Sequence, residues 1–105
     1  PAQYLSVDIL NTKPWSTLFE KNTPSGRIEV PIVIAHGTAD TLIPVELSEA
    51  EAVRRCKAGE DIQFARYPGS THDAREDTAV YILGWTVDRF AGRPAPSNCP
   101  NSLVW

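Results

Sequence analysis

The 105-residue chain contains no methionine, and it also lacks the features that mark several large classes of protein. No apolar run approaches the ~18 residues that a membrane-spanning helix needs, so no transmembrane segment is predicted. The net charge is −3, which leaves no basic surplus to neutralise nucleic-acid phosphates or an anionic membrane. Nucleic acid is therefore not an expected partner.

The start of the chain has no sign of a natural translation start. It begins Pro1-Ala2-Gln3-Tyr4, without methionine and without the basic and apolar stretches of a signal peptide. We expect a processed, nicked or excised segment of a longer protein.

The pattern of apolar residues predicts an α/β fold made of one βαβα unit. Residues 1–27 are an irregular lead-in, 28–92 form the core, and 93–105 form a tail rich in proline. Trp15, Leu18 and Phe19 predict a short surface helix that packs its aromatic side on the body of the protein. The predicted core elements are a strand over 30–35, a helix over 45–58, a half-buried or edge strand over 61–67, and a helix over 74–91.

This unit is expected to be incomplete on its own. The two strands should be parallel, because a helix connects them, and parallel sheets need helices on both faces. The first strand is too apolar for an edge, so it should have a neighbour on each side, and the chain offers only one. We expect the missing neighbour in sequence outside these residues.

The two cysteines, Cys56 and Cys99, can be interpreted in two ways. They are free thiols in a reducing compartment, or a disulfide in an oxidising one. Cys56 lies near the end of the first core helix and Cys99 lies beyond the second, so both fall near the same edge of the sheet and a bridge is feasible. They lack the close spacing of zinc ligands, and neither a metal nor an organic cofactor is expected.

Two loops follow the carboxyl ends of the predicted strands, where ligands bind in open α/β sheets. The first loop carries Asp40 in a G-x-x-D-x-x-[IV]-P pattern, and the second carries His72. Parallel neighbouring strands place both loops at one edge, so Asp40 can orient the imidazole of His72 as the acid of a catalytic triad orients its base. The non-catalytic alternatives are that Asp40 closes a turn through its own backbone and that His72 is an exposed loop residue.

Other polar residues near these loops are weaker candidates. His36, at the end of the first strand, is expected to be a packed or hydrogen-bonded residue rather than a catalytic one. Asp73 and Asp77 are interpreted as charges at the N-terminus of the last helix. None of the seven serines stands in a G-x-S-x-G motif, and Ser70 lies on the same loop as His72 rather than on a loop of its own.

Three stretches resemble the secretory lipase family of the Candida antarctica lipase A type, within the α/β-hydrolase superfamily. They begin with Lys13-Pro14-Trp15, then Val30 to Asp40, and end with Trp85 to Cys99, so the resemblance covers most of residues 11–99. It implies that the chain is the C-terminal βαβα portion of an α/β-hydrolase sheet, with Asp40 as the triad acid and His72 as the triad base.

The function that this resemblance implies is hydrolysis of carboxylic esters, including lipids, by a secreted serine hydrolase. The N-terminal remainder of the same hydrolase would supply the serine and the oxyanion hole, so this segment alone should be inactive. Two alternatives remain: another α/β-hydrolase, such as a prolyl-type peptidase, and a catalytically dead α/β-hydrolase domain used for binding.

Overall fold

The computed structural model describes residues 6–99, and the predictions for residues 1–5 and 100–105 lie outside this range. No helix in the described part is long and apolar enough to cross a membrane. The elements, in chain order, are α1 (Trp15–Asn22), β1 (Ile32–Gly37), α2 (Val45–Lys57), β2 (Ile62–Tyr67) and α3 (Arg75–Phe90).

The two strands form a parallel sheet, as predicted, with Ile32 opposite Ile62 and Gly37 opposite Tyr67. β1 begins two residues later than predicted, because Pro31 has no backbone N–H to contribute to the ladder. It also continues through His36 and Gly37, two residues beyond the predicted end. The strand is therefore shifted by two residues without a change in length, and His36 lies within the sheet.

The two long helices cover opposite faces of this sheet, as predicted. Val45 and Ala52 of α2 form the core with Ile62 and Phe64 of β2, and Ile32 and Ile34 pack against it. Side chains alternate along a strand, so Tyr67 points to the face opposite Phe64. There it contacts Tyr81 of α3, with 6.3 Å between the ring centroids.

The helical periodicity predicted α2 correctly, but the buried face is not the one that the apolar residues suggest. Leu47 is 60% exposed, whereas Val45, Ala52 and Arg55 are buried. Arg55 is tolerated inside because its guanidinium lies 2.9 Å from Glu60 and 2.6 Å from Glu51. A buried charge with two partners thus lies on the side of α2 that packs against the rest of the chain.

The apolar side of α3 has no cover within the described chain. Val80, Leu83, Val87 and Phe90 lie on one side of the helix and are between 55% and 91% exposed. We call these four residues the α3 stripe. The periodicity therefore predicted the helix, while the surface that would bury the stripe is not among residues 6–99.

The prediction that α1 packs its aromatic side on the body of the protein is wrong for the described residues. Trp15, Leu18 and Phe19 are each between 45% and 49% exposed, and no residue of α1 is buried.

The tail after α3 closes the outer edge of β2. The side chain of Asn98 accepts a hydrogen bond from Phe64 N at 2.8 Å and donates one to Phe64 O at 2.9 Å. Its backbone N donates to Ile62 O at 3.0 Å, and Ser97 Oγ donates to the same oxygen. One asparagine thereby occupies the backbone groups that a further strand would use.

We call the contacts of Ser97 and Asn98 with β2 the clamp. A disulfide joins Cys56, near the end of α2, to Cys99, which follows the clamp. The bridge that the sequence left open is therefore present, at the edge of the sheet where both cysteines were expected. It closes a loop with a sequence separation of 43, for which chain entropy gives a stabilisation of roughly 4 kcal/mol.

Candidate active site

The two loops at the carboxyl ends of β1 and β2 are held together by hydrogen bonds from backbone N–H groups. Ala39 N donates to Ser70 O at 2.9 Å, and Gly69 N donates to the hydroxyl of Thr38 at 3.0 Å. The approach is so close at Gly37 that a Cβ there would overlap the carbonyl of Ser70. Glycine is thus required for the second loop to lie against the first.

This arrangement places Asp40 beside His72, as the sequence predicted. Nδ1 of His72 lies 2.9 Å from Oδ2 of Asp40. The Asp40 side chain is only 4% exposed, whereas that of His72 is 55% exposed. Because Oδ2 of a carboxylate can only accept, Nδ1 carries the proton, and in a neutral imidazole the lone pair is then on Nε2.

The other oxygen of Asp40 accepts from its own loop. The backbone N–H groups of Leu42 and Ile43 both donate to Oδ1, each at 2.9 Å. Asp40 thus also closes a turn, as the non-catalytic alternative predicted, because one oxygen closes the turn while the other faces the imidazole.

These contacts keep Asp40 ionised. Burial raises the pKa of its carboxyl, but the hydrogen bonds from Ile43 N–H, from His72 and from Leu42 N–H, together with the charge of His72, outweigh burial. The pKa of Asp40 therefore lies well below its usual range. At neutral pH it is a fixed negative charge beside His72.

His36, which lies in β1, also contacts the carboxylate of Asp40. This contact was not predicted from the sequence. Nε2 of His36 lies 3.0 Å from Asp40 Oδ2 and 3.0 Å from the carbonyl oxygen of Ile43, and its Nδ1 lies 2.7 Å from Ser48 Oγ on α2. His36 is hydrogen-bonded, as expected, but its partner is the candidate acid. The only signal in the sequence was the spacing of four residues between His36 and Asp40 across the end of a strand.

Ser70 is turned away from His72. It is buried, and its hydroxyl donates to Asp77 in the first turn of α3. Asp77 therefore combines the predicted position at a helix N-terminus with a bond that ties the His72 loop to α3. Asp73 instead pairs with Arg75 at 2.9 Å, and this hydrogen bond and the charge of Arg75 lower the pKa of Asp73.

A cleft of about 190 Å³ opens beside the pair of Asp40 and His72. Among residues 6–99, no group of His, Cys, Asp or Glu side chains could hold a metal ion. The cleft is lined by Ala35, His36, Gly37, Asp40, Ile43, Thr71, His72 and Ala74. It is a shallow, partly apolar site with one ionised acid and one accessible imidazole.

Comparison with known proteins identifies relatives along almost the whole chain. The model of the secretory lipase family matches residues 3–98. Lipase 10 of Candida albicans is 34% identical over 77 residues, which are 71% of this chain and 17% of that protein. The secreted triacylglycerol lipase LIP2 of Malassezia globosa is 31% identical over 74 residues, which are 68% of this chain and 16% of that protein.

Similarity also extends to a plant protein and to a solved structure. A probable carboxylesterase of Oryza sativa subsp. japonica is 29% identical over 87 residues, covering 80% of this chain and 37% of that protein. The X-ray structure of Candida antarctica lipase A superposes with a TM-score of 0.73 at 21% identity, over 87% of this chain and 23% of that chain.

The chain thus spans about a sixth of the length of the curated lipases that it matches. Its parallel strands and flanking helices form part of the α/β-hydrolase fold. The family model covers far more than half of the chain. The chain belongs to the secretory lipase family.

Proposed function

We propose that this chain supplies the acid and the base of a Ser-His-Asp triad that hydrolyses carboxylic esters. The observation that carries the proposal is the 2.9 Å contact between Nδ1 of His72 and Oδ2 of Asp40, with the acid buried and the imidazole accessible. A buried, ionised carboxylate on Nδ1 fixes the tautomer and stabilises the imidazolium that forms when the base takes a proton.

In this reaction, Nε2 of His72 removes the hydroxyl proton of a serine while the serine oxygen attacks the ester carbonyl. The resulting imidazolium gives that proton to the leaving alcohol, and an acyl-enzyme remains. Water then attacks the acyl-enzyme and loses a proton to Nε2, and the imidazolium returns that proton to the serine oxygen as the carboxylic acid is released. Asp40 keeps its negative charge throughout.

The serine is proposed to lie outside these 105 residues. No serine of the chain stands in a G-x-S-x-G motif, and Ser70 is engaged with Asp77. We propose that the N-terminal remainder of the hydrolase supplies the serine and the oxyanion-hole donors. It would dock along β1 and cover the α3 stripe, and this segment alone would be inactive.

The names of the relatives support a substrate class. The similar protein of Candida albicans is named Lipase 10, and that of Malassezia globosa is named a secreted triacylglycerol lipase. We propose that the complete protein acts outside the cell on acyl esters, including triacylglycerols, and that it uses no metal or organic cofactor.

The first experiment replaces His72 by alanine in the complete hydrolase and measures ester hydrolysis. We expect kcat/KM to fall by about a thousandfold or more, because His72 is the proposed acceptor of the serine proton. Asp73→Asn is the matched control one residue away; it should stay within about threefold of the unmodified enzyme, because Asp73 is exposed and pairs with Arg75.

A fluorophosphonate probe reports on the serine in the same preparations. On a reducing, denaturing gel, the unmodified enzyme should be labelled on the portion that carries the serine, and His72→Ala should label far more slowly. Unchanged hydrolysis in His72→Ala would overturn the triad assignment. Absence of label in the unmodified protein would favour a dead binding domain, and cleavage of prolyl peptides rather than esters would favour the peptidase alternative.

A further inference from the structure

We infer that His36 is a positioning residue that holds Asp40 in place for His72. This role rests on the proposed function, because it concerns the acid of the same triad. The geometry points to it: Nε2 of His36 and Nδ1 of His72 lie 3.0 Å and 2.9 Å from the same atom, Oδ2 of Asp40. The acid thus faces two histidines, only one of which is accessible to a substrate.

The partners of His36 determine its proton. Ile43 O can only accept, so Nε2 of His36 must carry a hydrogen, and it donates to both Ile43 O and Asp40 Oδ2. Nδ1 of a neutral ring then accepts from the hydroxyl of Ser48 at 2.7 Å. Every polar atom of this ring is occupied, and the ring is only 12% exposed. His36 lines the cleft with little exposed surface, and neither of its ring nitrogens has a free lone pair.

The hydrogen bond from His36 fixes Oδ2 of Asp40, which the backbone N–H groups do not hold. The N–H groups of Leu42 and Ile43 hold Oδ1. A combined rotation about the Cα–Cβ and Cβ–Cγ bonds of Asp40 could still carry Oδ2 away from His72 while Oδ1 stays in place. The bond from His36 stops this rotation. Because His36 lies within β1 and Ser48 lies on α2, the position of Oδ2 is set by the sheet and helix rather than by a loop.

Holding Oδ2 in place also matters for the charge that forms on His72. A carboxylate displaced from Nδ1 stabilises the imidazolium less, so loss of His36 should disfavour protonated His72. The charged groups nearest to His72 are Asp40 and Asp73, and Asp73 is paired with Arg75. On the α2 side, His36 meets the neutral hydroxyl of Ser48.

The chain offers a matched pair of variants to test this role in the complete hydrolase. Glutamine at position 36 can place an amide N–H near the position of Nε2 and donate to Asp40. Asparagine is one methylene shorter and places its amide near the position of Nδ1, opposite Ser48. His36→Phe keeps a ring but has no donor. The measurements are kcat, KM, the pH profile of kcat/KM and the melting temperature.

We expect His36→Phe and His36→Asn to lower kcat by about 10- to 100-fold with KM within about twofold, since only the position of the acid changes. The acid limb of their pH profiles should move to lower pH, because a displaced Asp40 stabilises the imidazolium of His72 less. His36→Gln should retain most of kcat and the original acid limb. Thr86→Val, a remote loss of one hydroxyl on α3, should change neither.

Several outcomes would overturn the role of His36. If glutamine and asparagine behave alike, donation from the Nε2 position is not what matters. If the melting temperature falls while the acid limb and kcat per folded molecule stay unchanged, His36 is merely structural. Should His36→Phe fail to fold, the two amide variants still decide. Failure of the proposed function is recognised separately, because His72→Ala would then retain hydrolysis whatever happens at position 36.

Discussion

The carboxylate of Asp40 accepts four hydrogen bonds, two at each oxygen, and this saturation explains how an almost fully buried acid stays ionised. Burying a charge is costly unless it is hydrogen-bonded, and here backbone and side-chain donors offset that cost. The consequence for chemistry is a negative charge that does not move or titrate while His72 gains and loses its proton.

A second carboxylate, Glu51 of α2, offers a prediction about pH and stability. The hydrogen bond from Arg54 is the largest influence and, despite some desolvation, acts with Arg55 to lower the pKa of Glu51 from 4.5 to about 2. A pKa lowered by folding stabilises the protein above the unfolded value, and this contribution is lost as the pH falls from about 4.5 through about 2. Glu51→Gln should therefore lower the melting temperature at pH 6, and its deficit should shrink as the pH approaches 3.

Thermal melts of the complete hydrolase at several pH values check this expectation. Glu46→Gln, the same change in the exposed first turn of α2, is the matched control. A deficit of Glu51→Gln that is constant between pH 6 and pH 3 would show that the two ion pairs with Arg54 and Arg55 do not contribute through the charge of Glu51.

At the scale of single residues, the sequence was sufficient to predict that Asp40 and His72 lie together. It was not sufficient to predict that His36 contacts Asp40. Asp40 and His72 could be predicted because each follows a recognisable strand, and parallel strands end at one edge. His36 was interpreted as a packed residue because its contact with Asp40 depends on β1 continuing two residues beyond its apolar run. No pattern of residue types records that extension.

Among the elements, the least predictable is the tail that pairs with β2. Asn98 is polar and stands in a stretch without periodicity, yet its amide bonds both backbone groups of Phe64. The contact depends on the return of the chain after α3, which is set by the disulfide and by tertiary packing rather than by local propensity. The helices and strands, by contrast, each follow from their own periodicity.

Replacing Asn98 by alanine should destabilise the complete hydrolase. Two hydrogen bonds to a part-buried backbone are lost together, which costs about 1–3 kcal/mol. Asn98→Asp should be worse, because it removes the donor to Phe64 O and places a charge against that carbonyl. Chemical denaturation measures both, and an alanine variant as stable as the original would show that water replaces the clamp.

At the scale of the whole molecule, the α3 stripe and the side of β1 away from β2 are two surfaces that residues 6–99 leave uncovered. The four residues of the stripe share one face over three turns of the helix, which is typical of a surface that another element buries. Sequence reasoning predicted that this face is apolar but could not say what covers it. The apolar face of a helix is set by its local sequence, whereas the element that covers that face is set by the tertiary structure.

Leu83→Asn tests whether the stripe is buried in the complete protein. Leu83 is 65% exposed among the described residues, so a solvent-facing position would lose well under 1 kcal/mol on substitution. Burial against the N-terminal remainder would instead cost about 2–4 kcal/mol and lower the melting temperature by several degrees. An unchanged melting temperature would contradict the proposed docking surface.

The closed edge of β2 has a consequence for assembly. Among residues 6–99, Asn98 occupies the backbone of Phe64 and the tail is bonded to Ile62, which leaves the side of β1 away from β2 for a further strand. A described part that can pair on one side is monovalent, so two copies that meet along β1 complete each other. The contact of the tail with β2 therefore limits strand addition to one direction and opposes growth into a fibril.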